Sequence, residues 1–228
     1  MKVLLFDIDG TLINSGGAGH RAMTKAFEAI FHVPDVLKNA TLSGMTDKII
    51  FKNACATGKI TYNSNNLEMF RAVYLEYLRE EMPRSHPDKA ICPGVDVLLK
   101  KLVQYPDIHL GLLTGNFAEG ARIKLDQFNL SGYFSFGAFG DDNHDRNLLY
   151  NYAVKRFEKK TGKRPQNDQV WIIGDTPRDI ACARPHNALS LAVATGEYSR
   201  EQLSREAPHF IMDNFSNVDE FLNIVLNN

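Results

Sequence analysis

The chain has 228 residues, 44% of them hydrophobic and 23% charged, with a net charge of −1. That length and composition suit a soluble globular protein built as one domain or as a core domain with a smaller insert. Both signs of charge are interspersed without a Lys/Arg block, so neither nucleic acid nor an anionic membrane surface is expected as a partner.

Residues 3–6 form a continuous apolar run, the pattern of a strand buried on both faces, and the run ends in Asp7, Asp9 and Gly10. The start is too short for a signal-peptide core, and no segment approaches the ~18 apolar residues of a membrane span. Cys55, Cys92 and Cys182 are scattered, without the spacing of a disulfide framework or a zinc knuckle. A cytoplasmic location is the expectation.

After the first strand, the Gly-rich residues 14–20 read as a joint. Met23, Phe27, Ile30 and Phe31 then recur at helical spacing, and Leu67, Phe70, Tyr74, Tyr77 and Leu78 do so again further on. Between these two helices lies a turn followed by another helix. Pro83, Pro87 and Pro93 mark a second joint. Beyond it, the strand-like runs IHLGLLTGN, VWIIGDT and LSLAVATG alternate with helical stretches, as right-handed crossovers on a parallel sheet do. The expected architecture is a Rossmann-like α/β parallel-sheet core from residues 1–15 and 88–228, with a helical cap domain inserted over residues 16–87.

Ligands of such sheets bind outside the carboxyl ends of the strands. Those ends supply Asp7 and Asp9, then Thr114, Gly115 and Asn116, then Gly174, Asp175 and Thr176. Two carboxylates ~4 Å apart repel by about 4 kcal/mol even at an effective dielectric near 20, so convergence of Asp7, Asp9 and Asp175 calls for a cation. Hard oxygen ligands suit Mg²⁺, and a Mg²⁺ site of this kind points to phosphoryl chemistry. One Asp can then attack phosphorus while its neighbour handles protons. Thr114 and the Gly115–Asn116 turn offer donors to a phosphate, and Arg146 is the candidate cation, with Lys155, Lys159 or Lys160 as alternatives. Asp141, Asp142, His144 and Asp145 read as a solvated loop.

These residues resemble the haloacid dehalogenase superfamily of phosphohydrolases. The Asp-x-Asp-Gly-Thr motif stands at residues 7–11, a strand-ending Thr at Thr114, and Gly-Asp-(x)n-Asp at Gly174, Asp175 and Asp179. The resemblance implies that Asp7 is the nucleophile and Asp9 the general acid/base. It also implies Mg²⁺ on the Asp7 and Asp175 carboxylates and the Asp9 backbone carbonyl, with Asp179 in support beside Gly174. Arg146 departs from the Lys usual in the family. The single helical cap is similar to that of phosphoglycolate-phosphatase-like members, in which Thr46 and Asp47 would lie on the loop facing the substrate. The expected function is phosphatase action on a small phosphorylated metabolite through an aspartyl-phosphate, by a monomer or weak homodimer. A phosphomutase is the alternative, as is a phosphonatase using Lys25, Lys48 or Lys52; a non-catalytic phosphate-binding module is a more distant one.

Overall fold

The computed structural model describes residues 1–38 and 40–228. Its main sheet has six parallel strands in the order β5-β4-β1-β6-β7-β8. These are β1 (Lys2–Phe6), β4 (Ile108–Leu113), β5 (Gly137–Ala138), β6 (Val170–Gly174), β7 (Leu189–Val193) and β8 (Phe210–Met212). Helices α4 (Val95–Leu102), α5 (Ala118–Asp126), α6 (Leu149–Thr161), α7 (Pro177–Ala183), α8 (Arg200–Ser204) and α9 (Val218–Asn227) belong to the same half of the molecule.

Alternation along β1 sorts the two faces of the sheet. Leu4 and Phe6 pack with α4, α5 and α9, through residues such as Leu98, Leu99, Leu125 and Phe221. Val3 and Leu5 pack with α6 and α7, through Leu149, Ala153, Phe157 and Ala183. All four β1 residues are fully buried, as the continuous apolar run requires. The chain leaves β1 for β4 and β5 on one side, then crosses back to β6, β7 and β8 on the other. The order therefore reverses at β1, and the carboxyl ends of β4, β1 and β6 meet at the crevice where such sheets bind ligands.

Helices α1 (Ala18–Phe31), α2 (Asp47–Gly58) and α3 (Ser64–Glu81) form a separate hydrophobic cluster over that crevice. Its centre is aromatic: Phe70 lies 4.6 Å from Phe27 and 4.9 Å from Phe51 between ring centroids. No described helix is long and apolar enough to cross a membrane.

The two chain crossings into and out of this helical layer are fastened together. Strands β2 (Ile13–Asn14) and β3 (Ala90–Ile91) pair antiparallel, Ile13 with Ile91 and Asn14 with Ala90. Beside them Glu81, buried at the end of α3, receives Arg21 Nε at 2.7 Å and Lys25 Nζ at 2.5 Å, and Arg84 Nη1 lies 3.2 Å away. Arg21 also donates to the Gly16 carbonyl at 2.6 Å, so one guanidinium ties both joints. Burial pushes the Glu81 carboxyl up, but the bonds from Lys25 and Arg21 outweigh it and hold the group down at about 2. The stabilisation is thus present above the ordinary glutamate range and lost as pH falls through it toward 2. Because Arg21 and Lys25 are more than a third exposed and Arg84 more than half, the cluster is worth about 1–2 kcal/mol, less than a fully buried pair. Glu81→Gln is expected to lower the Tm at neutral pH by about 2–8 °C, and the difference from the parent should shrink as the pH is brought toward 3. Thermal melts by circular dichroism check both effects.

Candidate active site

Asp7 follows directly on β1, and its N–H donates to the Ile173 carbonyl of β6 at 2.9 Å. Its side chain is buried and faces Arg146, whose Nη2 lies 3.3 Å from Asp7 Oδ2 and also donates to Asp179. Arg146 sits just before α6, itself buried, and reaches the Leu113 carbonyl of β4 and the Gly44 carbonyl of the insert, each at 3.3 Å. Its Nε is buried with no partner among the described residues. Lys155, Lys159 and Lys160 are exposed on α6 and make no contact with this group, so the cation beside Asp7 is Arg146.

Oxygens of Asp7, Asp175 and Asp179 lie within 4.8 Å of one another, and all three residues are buried. Burial pushes Asp7 up to about 6 against the pull of Arg146. Burial, with Asp179 and Asp7 as neighbours, holds Asp175 well above the usual carboxylate range. Asp175 is partly satisfied by Thr11, whose hydroxyl donates to it at 2.9 Å. Thr176 and Asp179 form the capping box that starts α7, so Asp179 serves helix and site together. Gly10 has φ +77°, and a Cβ there would fall 2.3 Å from Asp175 Oδ2. Glycine is required both for the turn and for the approach of the second acid.

Asp9 departs from the expected convergence of Asp7, Asp9 and Asp175. The strand ends at Phe6, and the Asp9 side chain is 39% exposed. Its carboxylate lies outside the acidic cluster, in which Asp179 is the third member. Asp9 Oδ2 instead accepts from Asn116 Nδ2 at 2.9 Å and from Lys124 Nζ at 2.6 Å. Asn116 also donates to the Thr114 hydroxyl at 2.8 Å, so its side-chain amide serves Asp9 and Thr114 as well as lining the cavity. Gly115 has a further role: a Cβ there would meet the Met45 carbonyl at 2.0 Å, so glycine lets the insert's loop close onto the core.

Between core and insert lies a cavity of about 360 Å³. Asp7, Asp9, Thr114, Arg146 and Asp175 line its floor, and His20, Met23, Leu42, Ile50 and Tyr74 line its roof. Thr46 does not line it. Its hydroxyl caps α2 through the Ile49 N–H and donates to the His144 carbonyl at 2.8 Å, which makes Thr46 a docking residue. Asp47 does line the cavity, while its carboxylate accepts from the Phe117 N–H at 2.7 Å. The loop read as solvated is also a docking surface. Asp141 accepts from the Ala118 N–H and from Arg71 Nη2 of α3 at 2.9 Å, and its carbonyl accepts from Lys48 at 2.5 Å.

Lys124 is the site residue that the sequence reading passed over. A signal was present: with Phe117, Ala121 and Leu125 it falls on the apolar stripe of α5, where a lysine needs a buried partner. Of the lysines named for the phosphonatase alternative, Lys25 pairs with Glu81 and Lys48 donates to the Asp141 carbonyl, and none of Lys25, Lys48 and Lys52 lines the cavity.

Burial pushes Asp47 from 3.8 up to about 7, against the pull of Lys124 and the Phe117 N–H. A carboxyl raised in the folded state stabilises as the neutral form, and that contribution is lost as the pH rises through 7. Asp47→Asn keeps an acceptor for Phe117 without titrating. Its Tm relative to the parent should therefore improve between about pH 5.5 and about pH 8, by about 2–4 °C per kcal/mol that the parent loses. A pH-independent difference in calorimetric melts would contradict the shift.

The family model for haloacid dehalogenase-like hydrolases matches residues 4–213. The phosphoglycolate phosphatase of Aquifex aeolicus is 26% identical over 81% of this chain and 80% of its own. Phosphoglycolate phosphatase 1 of Pseudomonas aeruginosa is 24% identical over 99% of this chain and 82% of its own. Among solved structures, the β-phosphoglucomutase of Clostridium difficile superposes with a TM-score of 0.75, at 18% identity, over 100% of this chain and 97% of that one, which is a likeness of fold. The six-stranded parallel sheet, the acids at its carboxyl edge and the match across nearly the whole chain lead to one assignment: the protein belongs to the haloacid dehalogenase-like hydrolase family.

Proposed function

We propose that the protein is a phosphoric monoester hydrolase that releases phosphate from a small phosphorylated metabolite through an aspartyl-phosphate on Asp7. The observation that carries this reading is the pairing of buried Asp7 with Arg146 on the floor of the cavity, with Asp175 and Asp179 converging on it. Relatives named as phosphoglycolate phosphatases support the phosphatase class.

In this reading Asp7 Oδ attacks phosphorus, and the bond to the leaving oxygen breaks. Asp9 gives a proton to that oxygen and then takes one from the water that attacks the phosphoryl group, returning Asp7 and free phosphate. Thr114 and Arg146 line the cavity and would serve the phosphoryl oxygens through hydroxyl and guanidinium. Closure of the 16–87 segment over the cavity keeps bulk water from the phosphoryl-enzyme.

The residues present fit Mg²⁺. Three buried carboxylates against one guanidinium leave two negative charges uncompensated, and the donors are hard oxygens. Asp7 and Asp175 would hold the ion with the Asp9 carbonyl, and Asp179 would stand behind them. Such an ion offsets charge on the transferring group when bound.

Phosphatase is preferred to phosphomutase because the named relatives that align in sequence are phosphatases, while the mutase likeness is one of fold. Purified protein is expected to release phosphate from an aryl phosphate and from members of a metabolite-phosphate panel. Asp7→Asn should lower the rate by about 10³-fold or more, and a chelator should abolish turnover until Mg²⁺ is restored. Turnover surviving both changes would overturn the reading, and hexose phosphate isomerisation outpacing phosphate release would favour a mutase.

A further inference from the structure

Lys124 is costly where it lies. Its side chain is 6% exposed, on the face of α5 that also buries Ala121 and Leu125. An apolar residue would fill such a position without desolvating a charge. What occupies the Lys124 ammonium is a closed triangle. Nζ donates to Asp9 Oδ2 at 2.6 Å and to Asn116 Oδ1 at 2.7 Å, and Asn116 Nδ2 donates to the same Asp9 oxygen at 2.9 Å. Both donors meet on Oδ2. Among the described residues no donor reaches Oδ1, so one carboxylate oxygen is clamped and the other is left to the cavity that Asp9 lines.

The base of the clamp is rigid. Helix α5 has no side-chain cap of its own, but Asp47 receives the Phe117 N–H and Asp141 receives the Ala118 N–H. On the other side, Asn116 is held by Thr114, at the carboxyl end of β4. Asp9 lies beyond the end of its strand and is more than a third exposed, so no packing fixes its rotamer. Two convergent charge-assisted and neutral hydrogen bonds supply what packing does not.

We infer that Lys124 is a positioning residue: with Asn116 it clamps one oxygen of Asp9 and so presents the other to the leaving group. This rests on the acid role of Asp9 proposed above, and the test separates the two. The probes are phenyl phosphate, whose leaving oxygen needs a proton, and dinitrophenyl phosphate, whose leaving oxygen does not. The readout is kcat/KM, which reports the steps through transfer to Asp7. Lys124→Met keeps the apolar stem and removes the clamp. It is expected to lower kcat/KM for phenyl phosphate by about 10- to 100-fold and for dinitrophenyl phosphate by less than about 3-fold. Asp9→Asn should show the same asymmetry, more strongly. Lys124→Gln is read in the same way if the methionine variant does not fold. Equal losses on both esters in the Lys124 variants, beside an asymmetric Asp9→Asn, would reduce Lys124 to a structural residue and overturn the inference. A symmetric loss in Asp9→Asn would overturn the acid role of Asp9, and the inference with it.

Discussion

Mutual repulsion of buried carboxylates is the constraint around which this molecule is arranged. Asp7, Asp175 and Asp179 lie within 4.8 Å of one another, and no protein would retain them there for stability alone. A parallel sheet with its order reversed at β1 is what brings the carboxyl ends of β1 and β6 so close. A single guanidinium, Arg146, is delivered between them from the start of α6 and is held by backbone carbonyls from both halves of the molecule. The resulting excess of negative charge suits a cation, and burial, with the neighbouring acids adding to it, holds Asp7 and Asp175 above the usual carboxylate range.

The two acids of the first motif are separated by environment more than by distance along the chain. Asp7 is buried within the cluster, while Asp9 lies outside it, partly exposed and engaged by a lysine and an amide. One carboxylate is therefore surrounded by other acids and a guanidinium, the other by neutral and cationic donors. The nucleophile and proton-carrier roles proposed for this pair rest on surroundings that treat chemically identical side chains differently.

Much of this was legible in the sequence because the relevant signals are local. Strands β1, β4, β6 and β7 are near-continuous apolar runs ending in polar residues, and Gly and Pro bracket the helical layer. Strands β5 and β8, at the sheet edges, have two and three residues and so carry too little periodicity to read. Docking contacts were invisible for a different reason. Asp141 looks like one acid among several until Arg71 and the start of α5 are brought to it from distant parts of the chain. Thr46 is likewise committed to its helix and to the His144 carbonyl, a partner that sequence spacing cannot supply. Lys124 stood between these cases, since its position on an apolar stripe was readable and its partner was not.

The short pair of β2 and β3 has a consequence for how this architecture can vary. Ile13 faces Ile91 and Asn14 faces Ala90, so the entire helical layer hangs from the tip of a β-hairpin whose two arms stay in the core. In chain terms the layer is an overgrown hairpin loop, and its ends are held side by side whatever lies between them. Exchange or shortening of that loop costs the core little closure entropy. The layer that roofs the cavity can therefore vary while the acids at the sheet edge keep their register.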